Sequence, residues 1–103
     1  MEPVFITGMG AVSALGISLA ENFNALKREQ SGINPGSTSY SNGFLVGEVS
    51  ATNEALSQKI GVENRYSRTS LLGMLAAQNA FENHAHFTEI RTGFISGTSV
   101  GGM

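Results

Sequence analysis

The chain has 103 residues, 41% apolar and 14% charged, with a net charge of −2 and no cysteine. This length allows one domain with a thin core, since folding at this size removes roughly 60–70% of the unfolded chain's surface. Disulfides, thiolate metal sites and a thiol nucleophile are excluded within these residues, and eight glutamates against six Lys and Arg give no reason to expect nucleic acid.

The start, Met1 to Thr7, lacks the basic region and long apolar run of a signal peptide. No apolar stretch approaches the roughly 20 residues that span a bilayer, so a cytoplasmic protein without membrane contact is expected. Val4-Phe5-Ile6-Thr7, closed by Gly8, reads as a buried strand. A connector of small residues runs from Met9 to Gly16. Ser18 then has the position of an N-cap, with Glu21 completing a capping box. Leu19, Phe23 and Leu26 follow at helical spacing, predicting a helix that ends near Lys27-Arg28-Glu29.

Residues 31–42 are rich in Ser, Gly, Asn and Pro and read as a surface loop. A second, weaker strand is predicted over 44–49, and a short helix over 54–60 ended by Gly61. A longer helix is predicted over 69–83, capped by Ser67 or Thr69. Its apolar residues are nearly continuous, which predicts burial on more than one side. Gly73 inside it costs roughly 1 kcal/mol against Ala, tolerable where another backbone packs close. Gly93 to Ser96 reads as the last strand. Strand, helix, strand, helix, strand is the pattern of an α/β fold with a parallel sheet.

The glycine-dense stretch 97–103 follows that last strand directly. Ligands of α/β proteins collect at the carboxyl ends of parallel strands, so the chain reads as the opening segment of a larger enzyme. Gly97-Thr98-Ser99-Val100-Gly101 also fits the G-x-S-x-G pattern of a nucleophile elbow. A hydrolase triad needs an acid and a histidine after the serine, and none follows here. Glycines that permit a tight turn are the stronger reading. Gly8-Met9-Gly10 is a broken dinucleotide motif, with Ser13 in the third glycine position. His84 and His86, without cysteine or aspartate, make a poor metal site and read as a polar helix end, so no cofactor or metal is expected. Lys59, Arg65 and Arg68 concentrate positive charge that suits an acidic partner or, more simply, a solvated face.

Four blocks together resemble the β-ketoacyl-acyl-carrier-protein synthases. Met1 to Gly16, with Thr7-Gly8-Met9-Gly10-Ala11-Val12-Ser13-Ala14-Leu15-Gly16, is similar to their amino-terminal signature, with Ala14 in place of the usual proline. Lys27-Arg28-Glu29-Gln30-Ser31-Gly32-Ile33 is similar to the family's G-x-SGI, and Arg65 to Phe81 resembles its Ala-rich helix. Arg91 to Met103 is similar to R-x-G-x-x-x-GT-x-x-GG. The blocks span nearly the whole chain, in order.

The resemblance implies the amino-terminal part, residues 1–103, of a thiolase-like half-domain from the αβαβα sandwich. The implied activity is decarboxylative Claisen condensation of acyl and malonyl thioesters on acyl carrier protein, in fatty acid or polyketide synthesis. A homodimer is also implied. The family's cysteine nucleophile and two histidines match no position here, so the segment alone is expected to be inactive; His84 and His86 do not inherit those roles. Val100 and Gly101 fall at the acyl pocket, and Arg65 near positions that bind carrier protein. Arg68 stands where relatives often carry an acid. Three alternatives stay open: a non-catalytic partner subunit of the same fold, a serine hydrolase using Ser99, and a small interaction domain. Unpaired strand edges and an uncovered apolar helix predict self-association.

Overall fold

The computed structural model of the chain describes residues 1–82, 89–99 and 101. They form a small mixed α/β structure with three helices and a two-stranded antiparallel sheet, in the order α1 (Leu19–Lys27), β1 (Asn34–Pro35), β2 (Leu45–Val46), α2 (Asn53–Ile60) and α3 (Arg68–Phe81). Among the described residues no helix is long and apolar enough to cross a membrane.

Each helix begins where a hydroxyl can accept from an otherwise unpaired backbone N–H. Ser18 Oγ accepts from Glu21 N–H at 3.2 Å, Thr52 Oγ1 from Ala55 N–H at 3.1 Å, and Ser67 Oγ from Ser70 N–H at 3.2 Å. Glu21 Oε2 accepts from Ile17 N–H at 2.7 Å, so the expected capping box closes one residue before its usual target. Gly61 ends α2 in the left-handed region at φ 88°, as glycine readily does, and donates to Ser57 O at 2.9 Å.

The core lies between α2 and α3. Leu71 and Leu75 stand one turn apart on α3 and meet Leu56 of α2, with Val12, Ile17 and Ile60 packed at the margin. The expected burial of α3 on more than one side is met in part. Leu72, Met74, Ala76, Ala77 and Ala80 are half-buried and Gly73 faces open space. The close backbone approach expected at Gly73 occurs instead at Gly10, where a Cβ would overlap the Ala76 carbonyl oxygen.

The sheet departs from expectation. In place of a parallel sheet there is a short antiparallel ladder, Asn34 opposite Val46 and Pro35 opposite Leu45. The strand predicted over 44–49 contracts to Leu45–Val46, and its partner comes from the segment read as a loop. Antiparallel pairing needs only a hairpin connection, whereas a parallel pair needs a crossover of a dozen or more residues. Residues 4–7 and 93–96 are not strands, and Val4, Phe5, Ile6, Phe94 and Ile95 are exposed. A β-prone segment becomes a strand only against a pairing strand, and these two pair with no strand among the described residues.

The apolar stripe of α1 is also turned outward. Leu19, Phe23 and Leu26 are exposed, while Asn22 and Ala25 face inward. Polar demand decides this orientation. The segment 11–18 brings the carbonyls of Ala11, Gly16 and Ser18 to one point, and the Asn22 side-chain amide donates to all three.

Candidate functional site

Asn22 is the hub of the connector of small residues. Its Nδ2 donates to Ala11 O at 3.1 Å, Gly16 O at 3.0 Å and Ser18 O at 2.7 Å, and its Oδ1 accepts from Ser13 Oγ. Ser13 and Gly16 exchange backbone hydrogen bonds at 2.9 and 3.2 Å, making a tight turn. Asn79 Nδ2 donates to Ile17 O at 3.0 Å, which ties this loop to α3 across the sequence. The sequence reading missed Asn22. Its signal was an amide one helical turn after Ser18, beside a loop rich in small residues.

On its other flank, α3 faces residues 94–98 and Gly101 across a groove of about 790 Å³. Met74, Ala77 and Phe94 supply apolar wall, and Thr69, Ser70 and Thr98 supply hydroxyls. Gly73 and Gly101 line it from opposite sides, and a Cβ on Gly101 would stand 2.8 Å from Thr98 Oγ1 and 3.1 Å from Thr69 Cγ2. No carboxylate, amine or imidazole lines the groove among the described residues. Such a surface can hold an extended apolar group and orient it by hydroxyl contacts, but offers no acid or base for reaction at neutral pH.

Gly101 therefore lies in the groove, whereas Val100 lies outside the described residues. Arg65 borders it indirectly: its guanidinium stacks over the Tyr66 ring at 5.3 Å and donates to the Tyr66 hydroxyl at 3.3 Å, and Tyr66 lines the groove. The Arg65 side chain is 69% exposed and pairs with Glu63 at 3.5 Å, an exposed ion pair of little energetic weight.

Arg68 does not join Arg65 in a surface patch. It is half-buried and donates to Asn53 Oδ1 at 2.7 Å, Val49 O at 2.6 Å and Ala51 O at 3.0 Å. Three bonds from one planar guanidinium fix the 49–53 segment against the start of α3. Nearby, Glu48 accepts from Ser37 Oγ at 2.8 Å, Ser37 N–H at 3.1 Å and Ser41 Oγ at 3.0 Å. The Ser37 hydroxyl, then the Ser37 N–H and the Ser41 hydroxyl, hold its carboxyl below the ordinary glutamate range, with Arg68 adding a smaller pull.

Ser99 is exposed, and no hydrogen bond reaches its hydroxyl among the described residues. His84 and His86 lie outside the described residues. Among the described residues no three His, Cys, Asp or Glu side chains gather as metal ligands. Comparison of the chain with protein-family models, curated proteins and solved structures finds no match.

Proposed function

We propose that the chain is the amino-terminal part of a β-ketoacyl-acyl-carrier-protein synthase, a transferase that condenses acyl and malonyl thioesters on acyl carrier protein, and that its fold is part of a thiolase-like half-domain. The observation that carries this reading is the ordered set of four motif blocks from Thr7-Gly8-Met9-Gly10 to Gly97-Thr98-Ser99-Val100-Gly101-Gly102. The geometry is compatible with a binding role for the last block. Gly101 lines an apolar groove that holds no acid–base group among the described residues, as suits the acyl part of a substrate whose chemistry is done elsewhere. Val100 belongs to the same acyl-binding role in this reading. Arg65, exposed at the groove's border, is the cation offered to an acidic carrier protein.

The test is an assay of the protein at the full length its gene encodes, with acyl- and malonyl-carrier protein as substrates. Formation of a 3-oxoacyl thioester, with acyl transfer onto a cysteine, is the expected result. Absence of condensation and of an acyl-cysteine overturns the enzyme reading, and labelling of Ser99 by a fluorophosphonate assigns a hydrolase instead. These 103 residues alone are expected to give no product, because they hold no cysteine.

A further inference from the structure

We propose that Asn42 is a site of spontaneous backbone-assisted deamidation, at which the folded chain converts an asparagine into aspartate and isoaspartate. Asn42-Gly43 is the only Asn-Gly pair in the sequence. Both residues are exposed, in the turn between β1 and β2. Gly43 sits at φ 88°, and nothing lies within 4 Å of where its Cβ would be. Neither the Asn42 side chain nor the Gly43 N–H makes a hydrogen bond among the described residues. Glycine leaves the following backbone nitrogen unshielded and free to rotate toward the side chain, and exposed loops allow that rotation without unfolding.

The reaction needs no partner but water. Gly43 N attacks Asn42 Cγ, forming an N–C bond as the amide proton leaves and Nδ2 departs as ammonia, to give a five-membered imide. Water then opens either imide carbonyl. One opening gives aspartate with the original backbone, and the other gives isoaspartate, with the former side-chain carbon in the main chain. In sum, an amide and water become a carboxylate and ammonium, and the net charge of −2 becomes one unit more negative.

The other described asparagines are held back for separate reasons. Asn22 is locked by its hydrogen bonds to the 11–18 segment. Asn34 precedes Pro35, which has no N–H to act. Asn24 and Asn79 lie inside helices. Asn53 is held by Arg68, and the nitrogen following Asn64 donates to Glu63 O at 2.9 Å. Conversion at Asn42 falls between two bonds that shape the hairpin, Phe44 N–H to Ser41 O at 3.0 Å and Gly36 N–H to Phe44 O at 2.9 Å. An inserted methylene between Ser41 and Phe44 is therefore expected to loosen the β1–β2 ladder.

The experiment incubates the full chain at mildly alkaline pH beside a synthetic peptide of residues 37–48. Conversion is followed by peptide mapping and by isoaspartyl methyltransferase labelling. Asn42 is expected to convert first, within a few-fold of the peptide's rate, and Gly43→Ala to slow it by at least an order of magnitude with the circular dichroism spectrum unchanged. Asn42→Gln is expected to abolish the label. Protection of Asn42 by more than an order of magnitude relative to the peptide overturns the proposal. So does earlier conversion at any other asparagine.

Discussion

Leu71 and Leu75 of α3 are fully buried, whereas Phe23 and Leu26 of α1, at comparable helical spacing, are 60% and 64% exposed. The two stripes read alike as sequence. What separates them is a neighbour: α2 presents Leu56 to α3, while among the described residues the outer face of α1 looks across a cleft of about 650 Å³ at residues 6–9 and the end of α3. Periodicity tells which face of a helix is apolar, and the arrangement of other elements tells whether that face is covered. A single buried polar residue tips the balance in α1. Asn22 turned outward would give up its side-chain bonds to the carbonyls of Ala11, Gly16 and Ser18 and leave Ala11 O with no donor among the described residues, a heavier loss than leaving Phe23 partly wet.

The sharpest way to break this contrast is a truncation in the covered half. Leu75→Ala is expected to cost about 2–5 kcal/mol, since the cavity it leaves is ringed by Leu56 and Leu71. A urea titration monitored by circular dichroism measures it, and a loss no larger than that of a surface substitution removes the core described above. Next in size is Asn22→Leu, which restores an apolar inner face to α1 at the expense of the loop. A loss of about 1–3 kcal/mol is expected. An increase in stability would show that burial, not the carbonyls, governs how α1 is turned.

The uncovered half predicts the opposite behaviour. Phe23→Ser with Leu26→Ser is expected to change stability by about 0.5 kcal/mol or less, yet to reduce self-association in sedimentation velocity. Unchanged association would mean that the exposed stripe is not the sticky surface. The smallest effect belongs to Glu48. Its carboxyl is held below its ordinary value in the folded chain, so its stabilising contribution is complete above the ordinary glutamate range. That contribution is lost as the pH falls through the lowered folded value. Glu48→Gln is expected to flatten the acid limb slightly, read as the difference in amide exchange of residues 37–41 between neutral and acid pH.

Local signals were the legible ones. Ser18, Ser67 and Gly61 marked helix ends correctly because a cap is decided by the residue itself and the next turn. The absence of strands at 4–7 and 93–96, against the expectation from their composition, was not legible, since a strand requires a partner that composition does not name. The inward turn of Arg68 was hidden for the same reason. Charge spacing placed it beside Arg65, while the carbonyls of Val49 and Ala51, far back in sequence, claimed it. Of the site positions implied by resemblance, Gly101 falls in the groove and Arg65 at its border, a juxtaposition that neither position announces alone.

The bond from Asn79 to Ile17 spans 62 positions, whereas α2 and α3 are separated only by the short segment 61–67. Contacts between near neighbours in sequence form fast, and distant ones wait for a costly loop to close. The α2–α3 hairpin is therefore expected to assemble first during refolding, with the amino-terminal loop docking onto it afterwards through Gly10 and Asn79. On the ribosome the order of synthesis runs the other way. The loop around Gly10 and Ile17 emerges before α3 and must remain unattached until Ala76 and Asn79 of α3 have left the exit tunnel.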